Sequence, residues 1–255
     1  MPRPQTPRFA CVDMLRGLAM LWMTLFHFCF DLQYFGYLQT NFYNNPVWTL
    51  QRSAIVSLFV FCAGLGQAIA WQQGQDWPRF WRRWRQIAGA AVLVSAGSYL
   101  VFPHSFIYFG ILHGMAAMLI LARAAAHGRR WLWPLGALAL CTPWLAPALH
   151  QVWAGAELLN TPALNWIGLI SRKPVTEDYA PLLPWIGVMF WGLASGQWLL
   201  QRQPQALARW GSARPAGWPG QARAALAWMG RHSLGYYLLH QPLLLGTLAL
   251  LSMGR

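Results

Sequence analysis

The sequence predicts an all-α fold: a polytopic membrane helical bundle of about seven transmembrane helices, N-terminus inside and C-terminus outside. Three observations predict it. The chain of 255 residues is 56% hydrophobic and only 10% charged, whereas soluble domains carry about 25% charged residues. Seven apolar runs approach the roughly 17–25 residues that a spanning helix needs. Arginine gathers in alternate connections between those runs, which is the asymmetry that orients a chain in a membrane.

The runs are roughly 12–32, 50–71, 86–103, 105–124, 131–149, 181–201 and 226–250. The first follows a basic flank, MPRPQTPRFACVDMLRG. It is too long for a signal peptide, and no small-residue cleavage site follows, so it reads as a retained helix. The third and fourth are separated by Phe102-Pro103-His104-Ser105, where proline stops a helix. Pro134, Pro143 and Pro147 predict kinks in the fifth.

With the N-terminus inside, the inner segments hold Arg3, Arg8, Arg79, Arg82, Arg83, Arg85, Arg123, Arg129, Arg130, Arg202, Arg209, Arg214 and Arg223. The outer segments hold Arg172, Lys173 and the terminal Arg255, with Arg52 at the outer start of the second helix. The formal charge of +13 therefore sits in short loops, and no nucleic-acid-binding pattern accompanies it. The four cysteines have no CxxC or Cys/His spacing, so they read as buried thiols, with neither a metal site nor disulfides expected.

No internal repeat or separate soluble domain is visible, so residues 1–255 read as one integral-membrane domain. The outer loop QYFGYLQTNFYNNPVW reads as an aromatic belt, and the inner WPRFWRRWRQ as an interfacial anchor on anionic lipid. The outer segment 150–180 reads as either a cover over a site or a simple loop.

Chemistry concentrates in the first run, DMLRGLAMLWMTLFHFCFD, which carries Asp13, Arg16, His27 and Asp31. At about 3.6 residues per turn these four share a face. Ionisable groups at membrane depth are costly, so that face must meet protein or a wet cavity. His27 and Asp31 form an i, i+4 pair, and a carboxylate that holds an imidazole is the usual setting of a general base. Asp13 and Arg16 are an i, i+3 pair. They suit either an ion pair that locks the helix or, through the planar fork of Arg16, a phosphate contact. Further candidates are His113 in FGILHG, and Arg231, His232, Tyr236, His240 and Gln241 in GRHSLGYYLLHQP.

RFACVDMLRGLAMLWMTLFHFCFDL, FGILHG, PLLPWIGVMFWGLASG and MGRHSLGYYLLHQPLL together resemble the heparan-alpha-glucosaminide N-acetyltransferase family, in particular its short bacterial members. More distantly, LRGLAMLWMTLFH resembles the opening of the acyltransferase-3 family, with Arg16 and His27 at the corresponding places. Residues 33–49 hold no histidine, so the loop histidine of the lysosomal branch has no counterpart there. The resemblance implies an enzyme of the bacterial inner membrane that moves an acetyl group from cytoplasmic acetyl-CoA to an amino or hydroxyl group of a sugar or glycan. On that reading His27 and Asp31 are catalytic, and Asp13 and Arg16 face the acyl-CoA. A transporter or channel with an ionisable pathway is an alternative reading. So is a b-type haem protein using His27 with His240.

Overall fold

The computed structural model describes residues 9–203, 205 and 217–253. Arg3, Arg8, Arg209, Arg214 and Arg255, counted above in the orientation, lie outside the described residues. The chain forms α1 (Ala10–Tyr34), α2 (Pro46–Gln72), α3 (Trp77–Val101), α4 (Ile111–Ala125), α5 (Leu132–Leu140), α6 (Thr142–Val152), α7 (Leu182–Arg202), α8 (Trp218–Arg231) and α9 (Ser233–Ser252). The fold is all-helical, with no strand among the described residues. Contacts divide it into two compact units. One comprises the described residues of Met1–Phe59 and Pro204–Arg255, the other Val60–Gln203.

Local sequence explains where the helices start. Asn45 accepts the Val47 N–H at 2.9 Å just ahead of α2, and Pro46 suits a first helical position. Asp76 caps α3 by accepting the Arg79 N–H at 2.9 Å. The residue before a proline is disfavoured in helical geometry, and α3 ends just before Phe102 and Pro103.

In the first unit α1 packs against α8 and α9. Met20, Met23 and Phe26 form a core with Phe42 and Ile55. The approach of α1 to α8 is backbone against backbone. A Cβ on Gly17 would meet the Leu226 carbonyl, and one on Gly230 would meet the Asp13 carbonyl. Small residues that allow such an approach are the usual adhesive between helices in lipid.

In the second unit α4 and α5 pack on α7, and α3 on α4. The segment between α6 and α7 is folded back here. Asp178 accepts the Ile111 N–H at 2.8 Å and so caps α4, while the Glu177 N–H donates to the Ser105 carbonyl at 2.9 Å. Buried Asn165 donates to the Tyr108 hydroxyl at 2.7 Å, and the Tyr179 hydroxyl donates to the Asn165 carbonyl at 2.6 Å. Burial pushes both phenols upward, so they stay neutral and able to donate.

The helices depart from the expected segments at four places. The third begins at Trp77 rather than near 86, so WPRFWRRWRQ forms the first turns of α3 behind the Asp76 cap. The fourth begins at Ile111 rather than near 105, because residues 102–110 are engaged with residues 176–180. The fifth is split into α5 and α6 by a 58° bend, with Pro143 at the start of α6 and Pro147 inside it. The seventh breaks at His232, leaving α8 and α9 as separate helices. Helices α1, α2 and α9 are long and apolar enough to cross a membrane, and the bent pair supplies a fourth span if counted as one. Helix α4 is apolar but has 15 residues, or about 22 Å, against a hydrocarbon core of about 30 Å.

The glycine contact predicts a contrast. Gly17→Val should destabilise the protein by about 1–3 kcal/mol or more, as overpacking does. Gly89→Ala, where an added Cβ meets nothing, should be neutral or gain about 0.5–1 kcal/mol from helix propensity. Thermal unfolding in detergent checks both; equal melting temperatures for the two variants would contradict the contact.

Candidate functional site

The polar face of α1 faces protein in the first unit. At its start Asp13 is buried, and Arg16 Nη1 lies 3.6 Å from Asp13 Oδ1, the i, i+3 pair that the spacing allows. Two and three turns further on, partners come from α9. The Thr24 hydroxyl donates to the Met20 carbonyl at 2.8 Å, so the Tyr236 hydroxyl, 2.8 Å away, is the donor to Thr24 Oγ.

His27 Nδ1 lies 2.8 Å from His240 Nε2, with the ring planes 17° apart. His240 Nδ1 lies 2.6 Å from the Tyr237 carbonyl. A carbonyl only accepts, so His240 Nδ1 carries a proton. In the neutral ring its Nε2 is then the acceptor, and His27 Nδ1–H must be the donor. That leaves His27 Nε2 with its lone pair. The tautomers of both rings are thus fixed by one backbone oxygen, and His27 is set as a base at Nε2.

Asp31 is 1% exposed and accepts from Gln241 Nε2 at 2.8 Å. The i, i+4 spacing suggested that Asp31 holds His27, but each side chain finds its partner on α9 instead: His27 donates to His240, and Asp31 accepts from Gln241. Asp31 Oδ2 and Gln241 Oε1 are buried without a hydrogen-bond partner. Both are acceptors, so the polar patch is short of donors.

The remaining candidates lie elsewhere. Arg231 and His232 are exposed at the α8–α9 junction, where the His232 ring donates to the Trp228 carbonyl at 3.0 Å. His113 belongs to the second unit. It accepts the Gly110 N–H at Nδ1 (3.3 Å) and donates from Nε2 to Ser95 Oγ (3.1 Å), which passes its own proton to the Ile107 carbonyl (2.6 Å). Both ring nitrogens are used in closing the start of α4. Reading the sequence missed Thr24 and the Tyr237 carbonyl. Thr24 had one signal, its place three residues before His27 on the polar face.

A haem iron does not fit between His27 and His240. Two metal–nitrogen bonds of about 2 Å each would hold the nitrogens about 4 Å apart, and a direct hydrogen bond at 2.8 Å occupies that space.

Comparisons with curated proteins and with solved structures gave no match. The family described as heparan-alpha-glucosaminide N-acetyltransferase, catalytic, matches residues 8–242. That stretch takes in all of α1, with Asp13, Arg16, His27 and Asp31, and reaches past His240 and Gln241 in α9. The chain therefore belongs to the heparan-alpha-glucosaminide N-acetyltransferase catalytic family.

Proposed function

We propose that the protein is a membrane acetyltransferase that moves an acetyl group from acetyl-CoA to an amino or hydroxyl group of a sugar or glycan. Membership of the family supports the reaction class. The single observation that carries the site is the His27–His240 pair, whose tautomers leave a base at His27 Nε2.

In this mechanism His27 Nε2 takes the proton from the acceptor's N–H or O–H as that atom attacks the thioester carbonyl. The carbon–sulfur bond breaks, and the departing thiolate of CoA receives the proton from His27. His240 accepts the His27 Nδ1–H throughout, and so holds the ring in place while it is charged. Asp31, one turn along α1, contributes a compensating negative charge. Arg16 is the partner for the CoA phosphates. Its separation of eleven residues from His27, about 16 Å along the helix, suits the extended arm between the phosphates and the thioester.

The topology we propose has seven spans in a bacterial inner membrane, N-terminus inside, with the arginine asymmetry as its support. A reporter fused after Arg255 should then read as periplasmic, and a cytoplasmic signal would reverse the orientation or change the count.

For the chemistry, His27→Ala should lower turnover per folded molecule by about 10²–10⁴-fold, the usual worth of a general base. His240→Phe should lower kcat with little change in KM, because it removes the acceptor that orients the base while leaving the substrate contacts. CoA affinity, measured by calorimetry in detergent, should survive both changes and weaken in Arg16→Ala. Near-normal turnover in His27→Ala would remove His27 from the mechanism.

A further inference from the structure

A cavity of about 680 Å³ opens in the second unit at the connection between α4 and α5. Gly128, Arg129, Arg130, Trp131, Trp133 and Trp198 line it. The proposed acyl transfer uses none of them.

Among the described residues the two arginines have no acidic partner. The sequence holds six acidic residues, and each is engaged elsewhere. Asp13 pairs with Arg16, and Glu157 with Arg172. Asp31 accepts from Gln241, Asp76 from the Arg79 N–H, Glu177 from Ser105 and Asp178 from the Ile111 N–H. Among the described residues no ion pair includes Arg129 or Arg130, and the Arg130 guanidinium rests over the Trp131 ring at 5.8 Å. The pair is thus open to a counter-charge brought by a ligand.

The rim indicates what carries the negative charge. Trp131, Trp133 and Trp198 are 58%, 47% and 46% exposed, and indoles favour the headgroup level of a bilayer. From there α5 continues with exposed Leu135 and Leu138, an apolar track leading away from the charged end. Phosphate beside hydrocarbon is the chemistry of a lipid, whereas a free phosphate would have no use for that track.

We propose that this cavity binds the headgroup of an anionic phospholipid, with Arg129 and Arg130 on its phosphate oxygens and an acyl chain along Leu135 and Leu138. The site is independent of the acyl-transfer reading.

The test uses the purified full chain in detergent and native mass spectrometry, with phosphatidylglycerol, phosphatidylcholine or inorganic phosphate added. Wild type should retain phosphatidylglycerol in preference to phosphatidylcholine. The double variant R129Q/R130Q should bind phosphatidylglycerol roughly thirty-fold more weakly, as expected for two basic groups near a lipid surface. The control R172Q/K173Q, which alters exposed basic residues between α6 and α7, should lose much less. Equal retention of the two lipids by wild type would overturn the proposal without reference to any variant. So would displacement of phosphatidylglycerol by inorganic phosphate, which would mark a site for soluble anions. An equal loss in the control pair would also overturn it, by showing general surface attraction.

Discussion

Hydrocarbon offers no hydrogen-bond partner, so a polar side chain on a spanning helix must find its partner inside the protein. In the first unit that requirement determines how α1 and α9 face each other. Three side chains of α1, Thr24, His27 and Asp31, meet Tyr236, His240 and Gln241 of α9. Each interhelical bond of this kind contributes only about 0.6–2 kcal/mol. Their effect is on rotation and register more than on total stability: turning either helix would break all three together. Close packing of Gly17 and Gly230 holds the other end of α1 against α8.

The face of α1 was legible from spacing alone, because helical periodicity is local. The partners were not. Counting four residues along α1 pairs His27 with Asp31, and nothing in that count reports a second helix arriving from more than 200 positions away. The clue was present in α9, where Tyr236 and His240 stand one turn apart and Gln241 follows directly, but it indicates polarity without saying which group meets which. His113 shows the opposite limit. A histidine in an apolar run signals a buried polar group, yet only the fold reveals that Gly110 and Ser95 already satisfy it.

Helix positions followed apolar composition closely, and the departures have long-range causes. Residues 106–110 carry enough hydrophobic side chains to look helical, but their backbone is used by residues 176–180, about seventy positions later. The break at His232 falls beside Gly230, which lies against the Asp13 carbonyl of α1. An apolar tally registers neither of these contacts. The prolines of the fifth segment act locally, and there the kink was readable in advance.

The backbone oxygen of Tyr237 also bears on where a proton can travel. A carbonyl in a helix has no proton to give and does not hold one. The file of bonds from His27 through His240 therefore ends in a cul-de-sac. A proton that arrives at His27 Nε2 has one exit, the atom by which it entered. Such an arrangement suits an exchange completed between two reactants at a single nitrogen, and it is a poor conductor from one side of a bilayer to the other.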